Sequence, residues 1–119
     1  MLRFAQDQIP SLTETEVSAI DELKSIICTK FSIREFILFG SKARGDYTKD
    51  SDVDILVLVD EESSMANRNI VWSDQYDINL KHDTDLSCTL RNYEKFYKGE
   101  GEFPTFVRSV MEEGISIEL

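Results

Sequence analysis

Two aspartates one residue apart, Asp52 and Asp54, stand where a polar stretch gives way to the apolar run Ile55-Leu56-Val57-Leu58-Val59. In an extended strand the side chains alternate faces, so both carboxylates point the same way. Like charges on one face repel unless a cation sits between them. Oxygen ligands of this kind suit Mg²⁺, which takes one or two carboxylates and fills its shell with water and substrate phosphates. Ten residues separate Asp52 from the pair Gly40-Ser41. Gly40 lets the backbone turn sharply and approach a ligand closely. Ser41 offers a hydroxyl at the expected start of a short helix, where free N–H groups attract phosphate. Lys42 and Arg44 add positive charge beside it. A carboxylate pair facing a phosphate-binding turn suits phosphoryl or nucleotidyl transfer.

Two blander readings compete. Asp50, Asp52, Asp54 and Glu61 fall at positions 1, 3, 5 and 12 of a calcium-loop spacing, but position 6 is Ile55 where that loop needs glycine. A solvated acidic turn before a buried strand explains the aspartates. It does not explain the Gly-Ser pair at this distance.

The elements that position these residues follow from hydrophobic period. Residues 11–31 read as a helix, with Val17, Ile20, Leu23, Ile27 and Phe31 at helical intervals and a capping box at either Ser11 or Thr13. Residues 34–39 form a strand that delivers Gly40 at its carboxyl end, where open α/β sheets bind ligands. Residues 41–45 turn once as a helix, and 53–60 are the second strand. Residues 62–82 are ambiguous. Met65, Ile70, Trp72, Tyr76 and Leu80 suit the apolar face of a helix, yet Tyr76-Ile78-Leu80 also alternates; length and polar density favour the helix. Residues 85–90 then form the third strand. A short helix and loop follow over 91–103, with Tyr93, Phe96 and Tyr97 as an aromatic cluster. Pro104 opens a last helix, Gly114 ends it, and Ile115 to Leu119 alternate as a strand.

The stretch Gly40-Ser41-Lys42-Ala43-Arg44-Gly45, followed by Asp50-Ser51-Asp52-Val53-Asp54, resembles the signature of the nucleotidyltransferase superfamily that includes DNA polymerase beta. More narrowly it resembles the minimal nucleotidyltransferases of prokaryotes. Lys42 stands where their pattern has arginine. Val110 to Ile115 is similar, more weakly, to the family's closing helix and Glu-Gly-Ile turn, and residues 1–30 carry nothing diagnostic. The resemblance implies an α/β (α+β) fold, a small mixed sheet with helices packed mainly on one face, over one domain spanning 1–119. It implies that Gly40, Ser41, Lys42 and Arg44 bind the phosphates of ATP, and that Asp52 and Asp54 hold Mg²⁺. It also implies a third carboxylate on a neighbouring strand, binding metal and helping deprotonate the attacking hydroxyl. Asp85 is the first candidate, with Asp83 one pleat earlier; the role passes to Asp77 if residues 75–80 are the strand. His82, the lone histidine, stays outside this set as a helix-end surface residue.

With 119 residues, 41% hydrophobic and 30% charged, the chain suits one soluble domain. No apolar run approaches the roughly 18 residues of a membrane span. The N-terminus lacks a secretory apolar core. Cys28 and Cys88 have no metal-ligand spacing and read as reduced core thiols, which fits the cytoplasm. A net charge of −10 with no basic stripe argues against a nucleic-acid substrate. The chain has no room for the acceptor-gripping domain of larger relatives. Resemblance therefore points to a protein acceptor: an antitoxin that adds AMP to a tyrosine of a HEPN-domain toxin. The alternatives are an antitoxin acting by occlusion alone, or a small-molecule nucleotidyltransferase of the aminoglycoside type.

Overall fold

In the computed structural model, which describes residues 1–119, the elements run β1 (Arg3–Phe4), a 3₁₀ turn (Gln6–Gln8), α1 (Glu14–Ile27), β2 (Ile33–Phe39), α2 (Ser41–Arg44), β3 (Val53–Val59), α3 (Met65–His82), β4 (Leu86–Asn92), α4 (Tyr93–Lys98), α5 (Pro104–Glu113) and β5 (Ile115–Ile117). The strands form one mixed sheet in the order β1-β5-β2-β3-β4. β2 is antiparallel to β3 and β5, while β3–β4 and β1–β5 are parallel.

β3 organises the sheet because its apolar run is buried on both faces. Val53, Ile55, Val57 and Val59 enter the larger core with Ala19, Ile20, Leu23 and Ile27 of α1 and Val71 and Ile78 of α3. Leu56 and Leu58 enter a smaller core on the other face with Ile37, Phe96 of α4 and Val110 of α5. A continuous hydrophobic run is what a strand covered on both faces requires. Each such side chain contributes about 1.5–3 kcal/mol of burial. The two long helices share one face, and the shorter α4 and α5 cover the centre of the other. Edge-to-face contacts join Phe96 to Tyr97 and Phe106, with ring centroids 5.5 and 6.0 Å apart. No helix is long and apolar enough to cross a membrane.

Residues 65–82 are helical throughout, but the buried face differs from the expected one. Met65, Trp72, Tyr76 and Leu80 are 46–67% exposed, and Ile70 is exposed as well. The inward face is Val71 and Ile78, flanked by amides. Gln75 Oε1 accepts from the Cys88 N–H at 2.6 Å, and Asn79 bonds both the N–H (2.8 Å) and the carbonyl (2.9 Å) of Leu86. α3 thus covers the open edge of β4 with side-chain hydrogen bonds, which leaves the apolar stripe outside. A second correction concerns the thiols: Cys88 is buried, but Cys28 is exposed.

Candidate active site

The site lies where the carboxyl end of β2 meets the amino ends of β3 and β4. Phe39 pairs with Asp54 across the antiparallel ladder, so the residue after it, Gly40, faces the Asp54 side chain. The fit is tight: a β-carbon on Gly40 would lie 2.3 Å from Asp54 Oδ2. Gly40 also has φ +74° and ψ −157°, a conformation essentially reserved for glycine. Only glycine therefore lets the turn close onto the carboxylate. The chain then enters α2, a single helical turn ended by Gly45. Ser41 forms its first residue, and its hydroxyl makes no hydrogen bond within the chain.

Asp54 is the second residue of β3 and Asp52 immediately precedes the strand, close enough for its charge to act on the Asp54 carboxyl. Their electrostatics are unfavourable. Burial, then the Asp52 charge, then the hydrogen bond that protonated Asp54 donates to Asp52 push the Asp54 carboxyl up to about 6; Arg44 opposes the rise and Asp85 adds to it. Burial and a neighbouring carboxylate both disfavour the charged form here, and Arg44 offsets them only in part. Oxygen donors at such a place fit a hard divalent cation. No group of three acidic, histidine or cysteine side chains closes around one point, so the remaining ligands of such a cation would come from substrate and water.

The third-carboxylate candidates separate by topology. The register that sets Val53 beside Leu86 puts Asp85 beside Asp52, and the Val53 N–H donates to the Asp85 carbonyl at 2.9 Å. Parallel neighbours point alike, so Asp85 shares the face of Asp52 and Asp54. Asp83 caps α3 in a left-handed conformation. Both line a wholly polar cavity of about 560 Å³ shared with Glu16, Lys49, Asp50 and His82. Asp77 sits on the exposed side of α3, not on a strand, so the condition for its role is not met. His82 bonds Glu22 of α1 at 2.5 Å.

The two basic residues of the turn are both engaged. Lys42 is buried; its ammonium donates to Glu16 Oε1 and to the Ser11 carbonyl, each at 3.0 Å, and stands 4.8 Å over the Tyr47 ring. The Ser11 hydroxyl returns a hydrogen bond to the Lys42 carbonyl at 2.7 Å. This cation anchors the turn on α1. Arg44 is more exposed and pairs with Asp46 (3.3 Å) and Glu113 (3.4 Å). The contacts of Ser11, Glu16, Tyr47 and Glu113 with the turn were not legible in the sequence. Glu16 was visible only as a capping partner, and that role is real: it accepts from the Thr13 N–H at 2.9 Å.

The nucleotidyltransferase domain family matches residues 20–117. Two proteins of Methanocaldococcus jannaschii, each bearing the name "Putative protein adenylyltransferase" (MJ0141 and MJ0604), are 33% and 35% identical over 103 and 101 residues. The alignments cover 85% and 83% of this chain, and 97% and 94% of those proteins. Among solved structures, a chain of a toxin–antitoxin crystal structure with AMP-PNP superposes with a TM-score of 0.60 at 18% identity, covering 87% of this chain and 72% of that one. A chain from a mutant form of the toxin–antitoxin pair MntA–HpeT gives 0.56 at 22% identity, covering 90% and 72%. These last two share the fold. Family match and relatives agree with the turn-and-carboxylate geometry, and the chain belongs to the nucleotidyltransferase domain family, as a transferase enzyme.

Proposed function

We propose that this protein transfers AMP from ATP to a hydroxyl of a separate protein, and that the acceptor is a HEPN-domain toxin which the transfer silences. The observation that carries the reading is the contact between the Gly40 backbone and the Asp54 carboxylate, with Asp52 alongside. A glycine turn held against two neighbouring carboxylates suits a phosphate beside a divalent cation. The names of the two archaeal relatives and the toxin–antitoxin neighbours support the choice of acceptor. Residues 1–119 act as one catalytic domain in the cytoplasm, with the acceptor presented by the partner.

In this reading Asp52 and Asp54 hold Mg²⁺, which when bound neutralises charge on the phosphates. Gly40 and the Ser41 hydroxyl bind the β- and γ-phosphates. Arg44 adds positive charge, and Lys42 keeps the turn fixed on α1. The acceptor oxygen bonds to the α-phosphorus while the bond to the α–β bridging oxygen breaks. Pyrophosphate leaves, and the hydroxyl proton passes to Asp85 or to water. The protein's contribution is positioning and charge neutralisation.

The test mixes the protein, labelled ATP and the product of the adjacent gene, and reads intact mass. An added AMP on the partner, lost with Asp54→Asn, is expected. Silencing of the partner without a mass change, equally by wild type and Asp54→Asn, would leave occlusion as the mechanism.

A further inference from the structure

The β3–α3–β4 unit has a second end. Its strands are parallel, and the Gly40–Asp54 contact occupies their amino ends. Open α/β sheets gather ligands outside the carboxyl ends of such strands. There a cavity of about 230 Å³ opens, lined by Ser63 before α3, Arg68 near its start, Arg91 and Asn92 at the end of β4, Lys95 of α4, and Glu102.

Its chemistry is unusual for this chain. Acidic residues outnumber basic ones by 23 to 13, yet Arg68 forms no ion pair. Its Nε is the only buried side-chain nitrogen or oxygen without a hydrogen-bond partner. A buried donor left unsatisfied is costly, and native structures supply partners for nearly all of them. The placement makes the charge harder to hold. Arg68 is the fourth residue of α3, near the positive end of the helix dipole, and the first turn carries no acidic residue to offset it. Lys95 is also without an ion pair. Arg91 pairs with the nearly buried Glu102 and donates to the Leu90 carbonyl, which fixes the guanidinium in place. Three cations thus converge on one small space with two carboxylates, Glu100 and Glu102.

We propose that this pocket is an anion site, separate from the catalytic turn, that binds a small phosphate group with Arg68 as its main contact and Lys95 as its second. Arginine's planar fork suits phosphate oxygens, and Lys95 adds a point charge. The volume is below that of pockets for drug-sized ligands, so it takes a phosphate or diphosphate group alone. Free pyrophosphate and the phosphate of a nucleotide share this chemistry.

The test is an amide-shift titration of the ¹⁵N-labelled full chain, without divalent metal, using inorganic phosphate, pyrophosphate and AMP. Saturable shifts at Ser63, Arg68 and Gly101 are expected. Arg68→Gln should weaken binding at least tenfold, Lys95→Gln less, and Arg68→Lys should recover part of the loss. Tighter binding of pyrophosphate than of AMP identifies the free ion as the ligand; the reverse order identifies a nucleotide. Shifts confined to residues 40–45, no shift with any of the three anions, or an unchanged midpoint in Arg68→Gln overturns the proposal.

Discussion

Replacing Gly40 by alanine tests the contact on which the site depends. The new β-carbon would meet Asp54 Oδ2 at 2.3 Å and Asp54 Cγ at 3.2 Å. Restoring ordinary contact moves the carboxylate by about 1 Å. The backbone conformation adds a penalty of about 1–3 kcal/mol, since φ +74° with ψ −157° is unfavourable for alanine. For a chain of this size a loss near 2 kcal/mol lowers Tm by roughly 10 °C. A misplacement of about 1 Å at a reacting centre costs on the order of 100-fold in rate. Gly45→Ala supplies the control. Gly45 has φ +96°, but nothing lies within 4 Å of its would-be β-carbon. It should lose about 1–2 kcal/mol of stability for the left-handed backbone and keep its activity. Thermal melts followed by circular dichroism, with calorimetric titration of ATP and Mg²⁺ and the transfer assay, separate the two effects. The reasoning fails if Gly40→Ala transfers within threefold of wild type, or if Gly45→Ala loses as much activity as Gly40→Ala.

Three further outcomes follow from the electrostatics and burial. The folded state favours protonated Asp54, so its ionised form opposes folding: the penalty is absent below the ordinary value of 3.8 and complete above about 6. Asp54→Asn should therefore stabilise the metal-free protein by about 1 kcal/mol at pH 7–8, the ideal value being cut by solvent screening, and have no such effect near pH 4; melts across pH check this, and a pH-independent gain would contradict it. Lys42→Met strands the largely buried Glu16 and should cost about 3 kcal/mol in denaturant unfolding. ATP affinity per folded molecule should change less than threefold, and a larger change would return Lys42 to the phosphate site. In the native protein a disulfide reagent should titrate one thiol, Cys28, quickly; Cys88, buried and pushed up to about 12, should react only on unfolding.

Much of the site was legible because its signals are local. The Gly40-Ser41 to Asp52-Asp54 spacing needs only a strand end, a turn and a second strand, and each is visible in short-range pattern. β3 was legible because burial on both faces demands an unbroken apolar run. The α3 stripe misled because helical period identifies an apolar arc without saying what it faces. Here Gln75 and Asn79 reach the edge of β4, and such amide contacts with the next element turn a polar arc inward. The burial of Lys42 was not legible for a related reason. Its partner Glu16 lies 26 residues earlier, and nothing in the sequence of the turn announces a buried ion pair. β1 escaped notice because a two-residue strand has no periodicity; it exists through its pairing with β5.

The strand order bears on how this chain is made. β5 fills a slot between β1 and β2, and residues 40–114 separate it from β2 in sequence. At about 5–20 residues per second, a ribosome needs roughly 4–15 s to traverse that interval. Throughout it, the edge of β2 that will receive β5 carries free backbone donors and acceptors, beside a nascent chain already holding Phe36, Ile37 and Leu38. Such an edge invites pairing with another chain. Sequestration of the emerging polypeptide should therefore matter most before residues 115–117 are free to pair, and a chain cut short of residue 115 should aggregate more readily than one that carries Ile115–Ile117.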